Sequence, residues 1–574
     1  MTATHARLAA LLLLLPGTAS AQGDMAAIYS GMDRMHPVFA EHGMVATQEE
    51  RATLAGLEVL REGGNAVDAA VTVAFTLAVT LPRAGNLGGG GFMIVHDAKA
   101  GETVAIDYRE KAPAAAYRDM FLDAEGEADP QKSRYSGLAV GVPGTVAGMA
   151  LALERYGTIS LADALAPAIR LAEDGIAVSA DMSDSLKAMA ERLQAWPPSE
   201  RIFYKEGGAP YEPGETLVQE DLAGSLRLIA EQGPDAIYGG PIGEKIVAEV
   251  GRAGGGMTLD DLRAYEAIVR EPVRGTYRGH EIVSMPPPSS GGVHIIQILN
   301  TLESDPISEL GPNSAATIHL MAEAMKHAYA DRSEYLGDPD FVDVPVDALV
   351  SKAYAKAIRA GIGTRRATPA TEIGPGDLAP YESPQTTHFS IVDDEGNAVA
   401  NTYTINFSYG TGLVADGTGI LLNNELDDFS AKPGVPNAYG LIGGEANAVE
   451  PNKRPLSSMS PTIVLKDGAP VLVTGTPGGS RIITTALQVI MNVVDHGMNV
   501  AEATFAPRIH HQWLPDELRI EEGLSPDTIG LLEGMGHEVV LKEAMGSTQS
   551  VMVTEEGVYG SSDPRTPGGL AAGH

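Results

Sequence analysis

The 574-residue sequence contains no cysteine. That removes disulfides, thiol nucleophiles and thiolate metal sites together. Basic residues are scarce: 40 Lys and Arg stand against 75 Asp and Glu, a formal net charge of −35. A surface of that sign repels nucleic acid and anionic lipid, so neither is expected as a partner. Long apolar runs are also missing. Residues 69–81 are apolar but include Thr72 and Thr76, and they are too short to span a bilayer, so no membrane insertion is expected. Several catalytic signatures are absent as well. There is no Walker sequence, no His-Glu-x-x-His and no Gly-x-Ser-x-Gly, and the run Gly88 to Gly91 lacks the spacing of a dinucleotide fingerprint. His510 and His511 are adjacent and would face opposite ways in a strand, which suits structural histidines better than metal ligands. No metal or cofactor is expected.

The amino-terminal residues 1–21 have the pattern of a secretory signal. Arg7 precedes a short apolar run at 8–15, and Ala19-Ser20-Ala21 forms a small-residue cleavage site. Export to the periplasm is the expectation. Beyond it, Thr47 and Glu50 match a capping box for a helix ending at Gly63-Gly64. A nearly all-apolar helix is predicted from Asn65 to before Pro82, and a strand over 92–95. Residues 160–360 read as helical segments, broken by a rigid loop at 285–292. Residues 364–385 are rich in Pro, Thr and Gly, lack periodicity and read as a flexible connector. After them the pattern turns to hairpins, 388–392 with 398–405 and 461–465 with 470–474, then a helix over 482–494. Strands flanked by helices point to sheets covered by helices.

The bond Gln385-Thr386 ends the connector. A threonine that becomes a chain terminus carries its own base, its α-amino group, which titrates at about 7.7–8.0. Spacing alone describes Thr386-Thr387 better as the start of a strand, since a threonine pair is a weak motif. Gly478-Gly479, between a strand and a helix, suits either a tight turn or a pair of N–H donors for an oxyanion. Arg109 has the fork to grip a carboxylate, and Glu425 and Asp428 have the charge to hold an ammonium. Ser457-Ser458 offers two hydroxyl donors.

In order along the chain, several motifs together resemble γ-glutamyltranspeptidase. They are Asp107-Tyr108-Arg109-Glu110, Gln385-Thr386-Thr387-His388-Phe389-Ser390 and Thr402-Tyr403-Thr404-Ile405-Asn406. Leu422-Asn423-Asn424-Glu425-Leu426-Asp427-Asp428, Pro455-Leu456-Ser457-Ser458-Met459 and Gly475-Thr476-Pro477-Gly478-Gly479-Ser480 complete the set. The resemblance implies a four-layer αββα sandwich of the N-terminal nucleophile hydrolase type, in the α/β (α+β) class. It implies autocleavage at Gln385-Thr386 into a large subunit, 22–385, and a small one, 386–574, that stay together as a heterodimer. Thr386 would be the nucleophile, assisted by Thr404, with Gly478 and Gly479 as the oxyanion hole. Arg109, Ser457 and Ser458 would bind the α-carboxylate of glutathione or another γ-glutamyl compound. Asn406, Glu425 and Asp428 would bind its α-amino group. Water, an amino acid or a dipeptide would accept the γ-glutamyl group. Residues 433–444, with Tyr439, resemble the family's lid. A glutaryl-cephalosporin acylase on the same scaffold and an inactive exported binding protein are the alternatives.

Overall fold

The computed structural model describes residues 34–374, 386–432, 434 and 443–574. Gln385, Tyr439 and the leader 1–21 lie outside them. Two seven-stranded sheets dominate. The first runs Leu570–Gly573, Met44–Thr47, Thr387–Val392, Ala398–Thr404, Gly90–Asp97, Glu102–Tyr108 and Ile268–Arg270, antiparallel throughout. The second runs Val38–Ala40, Gly557–Ser562, Gln549–Thr554, Ala469–Thr474, Thr462–Lys466, His280–Ser284 and Val273–Tyr277, also antiparallel. Both sheets therefore mix strands from before and after residue 386.

The period-two alternation of each strand builds the layers. Phe92, Ile94, Ala398 and Ala400 of the first sheet meet Val283, Ile463, Leu465 and Val473 of the second in one apolar slab. Their neighbours Met93, Val95, Val399 and Tyr403 face outward onto the helices Glu50–Arg61, Ala66–Thr80 and Thr145–Tyr156. On the far side Ile282, Val464 and Leu472 face Gly291–Leu302, Ala315–Tyr335 and Arg481–Val494. The result is the expected αββα stack. Helix Ala66–Thr80 is buried along its whole length, which accounts for its unbroken apolar sequence. Asn65 caps it, accepting from Val67 and Asp68 N–H at 2.9 and 3.0 Å. Among the described residues no helix is long and apolar enough to cross a membrane.

Three readings need correction. The first helix is capped by Glu49, which accepts from Ala52 N–H at 3.0 Å, and not by Thr47, which ends a strand. The helical middle also holds the strands Ile268–Arg270, Val273–Tyr277 and His280–Ser284, which join both main sheets. The described part of the connector, 364–374, is tied down rather than loose. Lys326 Nζ donates to Thr368 O at 2.6 Å, Ala370 N–H to Asp516 at 2.8 Å, and Trp513 Nε1 to Ala370 O at 2.9 Å.

Candidate active site

Thr386 immediately precedes the strand Thr387–Val392 and is almost buried. That strand pairs Thr387 with Tyr403, so the register, continued one step, sets Thr386 across from Thr404. Behind Thr404 lies Gly90 of the next strand. The glycine run serves this close approach: a Cβ on Gly89 would sit 2.1 Å from Thr404 O, and one on Gly90 2.5 Å from Tyr108 O. Any larger residue there would push the sheet apart beneath the threonines.

Thr404 Oγ1 accepts the Asn406 N–H at 2.8 Å. Asn406 adopts the left-handed conformation, φ 68°, and its side chain donates to Asn424 O at 3.0 Å. Asn423 anchors the following turn to the sheet. Its Nδ2 donates to Gly88 O and Gly141 O, both at 2.8 Å, and its Oδ1 accepts from Glu425 N–H at 3.0 Å. The turn Glu425–Asp428 is a 3₁₀ helix, whose three-residue period carries the carboxyls of Glu425 and Asp428 to one side.

Both carboxyls meet Arg109, which follows the strand Glu102–Tyr108 and is fully buried. Its Nη1 donates to Glu425, and its Nη2 to Asp428 Oδ2 at 2.5 Å. Its Nε donates to Pro455 O at 3.2 Å. Burial opposes the guanidinium charge, but Glu425 and Asp428 outweigh it and hold the group above its ordinary value. Burial pushes Glu425 and Asp428 upward, against the pull of Arg109. Glu110 adds a third carboxyl, fully buried, 3.8 Å from Arg109 Nη1 and against Glu425. Neither of its oxygens receives a donor among the described residues, and burial pushes it up to about 7.

The rigid loop at 285–292 supports the serine pair. Ser457 N–H donates to Pro288 O at 2.8 Å, and Ser290 Oγ donates to Ser457 O at 2.8 Å. Ser458 Oγ accepts from Arg332 Nη2 at 3.3 Å. Gly478 and Gly479 have φ of 138° and 57° and lead into helix Arg481–Val494, so both lie in backbone space that favours glycine. Among the described residues neither of their N–H groups donates to a protein acceptor.

These residues line one narrow, solvent-connected cavity. Thr386, Thr404, Asn406, Glu425, Asp428, Ser457, Ser458, Gly479 and Arg109 all reach it, joined by Met459, Ile482 and Arg332. Gly478 is the neighbour of Gly479 at its edge. Arg332 was not singled out from the sequence, because nothing in its helical spacing marks it. Glu110 appeared only as part of a motif.

Two other clusters are closed on themselves. A cleft of about 110 Å³ holds Glu49, Arg51, Arg83 and Asp181, but these pair as Arg51–Glu49 at 2.9 Å and Arg83–Asp181 at 3.0 Å. His319, Glu323 and His537 converge closely enough to suggest a metal. However, His319 bonds His537 at 2.8 Å and Gly363 O at 2.8 Å, and the Lys326 ammonium occupies Glu323 at 2.8 Å.

The αββα sandwich, with a threonine just before a central strand and Gly479 lining the same cavity, is the fold of the N-terminal nucleophile hydrolases. The family described as Gamma-glutamyltranspeptidase matches residues 52–573. The glutathione hydrolase proenzyme of Escherichia coli is 60% identical over 94% of this chain and 93% of its own. The acylase ACY 1 proenzyme of a Pseudomonas strain is 40% identical over 88% of each. Among solved structures, a cephalosporin acylase from Bacillus halodurans covers 95% of this chain and 98% of its own, with TM-score 0.83 and 29% identity. A γ-glutamyltranspeptidase chain from Helicobacter pylori covers 57% of this chain and 93% of its own, with TM-score 0.56 and 49% identity. The chain belongs to the γ-glutamyltranspeptidase family and is an enzyme.

Proposed function

We propose that the chain cleaves itself before Thr386 and then hydrolyses or transfers the γ-glutamyl group of glutathione and related amides. One observation carries this: a single cavity gathers Thr386, the glycine pair's edge, two guanidiniums, two carboxyls and two serines. In the processed enzyme the Thr386 α-amine takes the Oγ proton as Oγ attacks the γ-carbonyl. The N–H groups of Gly478 and Gly479 receive the developing oxyanion. Thr404, opposite Thr386, orients the nucleophile. The proton passes to the departing amine, leaving a γ-glutamyl ester on Thr386. Water, or the amine of an amino acid or dipeptide, then attacks the ester and restores the threonine.

The zwitterionic head of the substrate needs charges of both signs. Arg109, Ser457 and Ser458 take the α-carboxylate, and Asn406, Glu425 and Asp428 take the α-ammonium. The H. pylori chain, nearly all of it matched yet spanning little over half of this one, supports a product of two chains, 22–385 and 386–574. Both sheets interleave strands from each side of the cut, so the halves would stay together. Residues 1–21 would direct the precursor to the periplasm.

The likeness to a cephalosporin acylase favours a second reading, release of a glutaryl group, which has no ammonium to meet Glu425 and Asp428. Purified protein separates the readings. The expected result is two bands on a denaturing gel, one beginning at Thr386, lost in Thr386→Ala, and turnover of γ-glutamyl-p-nitroanilide over the glutaryl anilide. A single uncut band with full activity sinks the threonine mechanism. Preference for the glutaryl anilide establishes the acylase.

A further inference from the structure

We propose that Arg332 is a positioning residue that makes the pocket selective for donors bearing a carboxylate on the carbon farthest from the scissile amide, acting through Ser458. The inference rests on the acyl-transfer reading above. Arg332 lies in helix Ala315–Tyr335, is 5% exposed and lines the cavity that contains Thr386. Its Nε donates to Ser290 Oγ at 2.9 Å and its Nη2 to Ser458 Oγ at 3.3 Å. Ser290 is itself fixed by donating to Ser457 O. The guanidinium is therefore held in one pose against the serine pair.

What distinguishes Arg332 is its charge balance. Other deeply buried arginines each meet a carboxylate: Arg508 meets Asp563 at 2.5 Å, Arg481 meets Glu543 at 2.9 Å, Arg454 meets Asp107 at 3.4 Å, and Arg109 meets three. Among the described residues no carboxylate oxygen lies within 4 Å of the Arg332 guanidinium. Its Nη1 makes no hydrogen bond there either. Burial pulls it down to about 10, and the more distant pull of Tyr329 and Asp428 does not offset that, the signature of a cation only partly compensated. An unpaired buried charge is costly to keep unless something offsets it. A carboxylate entering the cavity does so.

Ser458 carries the effect to the ligand. A hydroxyl has one donor and two acceptor sites. With an acceptor site filled by Arg332, the Ser458 proton is left for an outside acceptor and is polarised by the cation behind it. Arg109, in contrast, already spends most of its donors on Glu425, Asp428, Pro455 O and Leu456 O. The uncompensated positive charge facing the carboxylate is thus that of Arg332.

The test compares two donors that differ only in the carboxylate: γ-glutamyl-p-nitroanilide and 4-aminobutyryl-p-nitroanilide. In Arg332→Met the KM for the first is expected to rise about 10- to 100-fold, the span of one charge-assisted hydrogen bond. The ratio of kcat/KM between the two donors should fall by the same factor. A merely structural role lowers both donors in parallel and leaves the ratio unchanged; that result overturns the proposal. If Arg332→Met does not accumulate folded, Arg332→Lys is read on the same ratio, since lysine keeps the charge but cannot bridge both serines. A ratio below wild type then supports the role, and an unchanged ratio removes it. Should the wild type prefer glutaryl amides, the γ-glutamyl reading fails while this one stands or falls on the glutaryl and butyryl anilides.

Discussion

Replacing Glu110 by glutamine should make the protein more stable, and the gain should grow between about pH 4.5 and pH 7. Glu110 is fully buried, receives no donor among the described residues, and faces Arg109 only at 3.8 Å while crowding Glu425. Burial lifts its carboxyl from 4.5 to about 7, a gap worth about 3 kcal/mol. Because the folded value is raised, the folded state holds a proton that the unfolded chain releases. This group's stabilisation is complete below about pH 4.5, is lost progressively as pH rises, and is gone above about 7. Glutamine has nearly the shape of the neutral acid and does not titrate. The two proteins should therefore be close in stability at pH 4.5 and differ by about 3 kcal/mol at pH 7.5, with the variant ahead. Denaturant midpoints across that range measure it, in a Thr386→Ala background so that each protein is one covalent chain. A stability difference that does not change with pH, or one that favours wild type increasingly as pH rises, would refute an unpaired protonated carboxyl beside Arg109.

Two further substitutions test the cavity. Glu425→Gln keeps the shape of the side chain but weakens the contact with a substrate ammonium by about 0.5–1.5 kcal/mol, so KM for γ-glutamyl-p-nitroanilide should rise about 2- to 10-fold with kcat nearly unchanged; an unaltered KM contradicts the assigned role. Gly479→Ala places a Cβ on a residue at φ 57°, costing about 1–2 kcal/mol, and shifts an N–H aimed at the oxyanion. Steady-state kinetics should show kcat lower by about 100-fold with little change in KM, whereas a change confined to KM would place the glycine outside the reaction.

Much of this site was legible because its parts are local. Thr386, Thr404 and Asn406 lie on one hairpin, Glu425 and Asp428 on one turn, and Gly478 and Gly479 between a strand and its helix, so short motifs carry them. The strands Thr387–Val392, Thr462–Lys466 and Ala469–Thr474 were also legible, since their alternation is strong. What escaped depends on distant chain segments. Ile268–Arg270 and Val273–Tyr277 are short and carry arginines, so no apolar alternation announces them; they are strands because the sheets have room at their edges. The composition of 364–374 reads as loose, yet Lys326, Asp516 and Trp513, each remote in sequence, hold it. Glu49 rather than Thr47 caps the first helix because Thr47 is already committed to pairing with Phe389 and Leu570. Arg332 belongs to the same group: its importance lies in the carboxylate it lacks, which no local pattern encodes.

The charges around Arg109 explain how so acidic a protein can receive an anionic group. Three carboxyls, Glu110, Glu425 and Asp428, gather on Arg109, and a second guanidinium, Arg332, lines the same pocket. With one proton held between Glu110 and Glu425, both pushed upward by burial, the remaining charges balance. A γ-glutamyl head brings one ammonium and one carboxylate, so its binding adds no net charge. Binding on this reading is an exchange of partners: the ammonium shares Glu425 and Asp428 with Arg109, and the carboxylate supplies the counter-ion missing beside Arg332. Neither step leaves a bare charge in a dry site, the situation that makes buried ion pairs costly. A glutaryl head brings the carboxylate alone and leaves Glu425 and Asp428 as they were. The selectivity between the two donors is then set locally, by whether the third and fourth charges of the pocket find a match, while the overall charge of −35 has little say at this range.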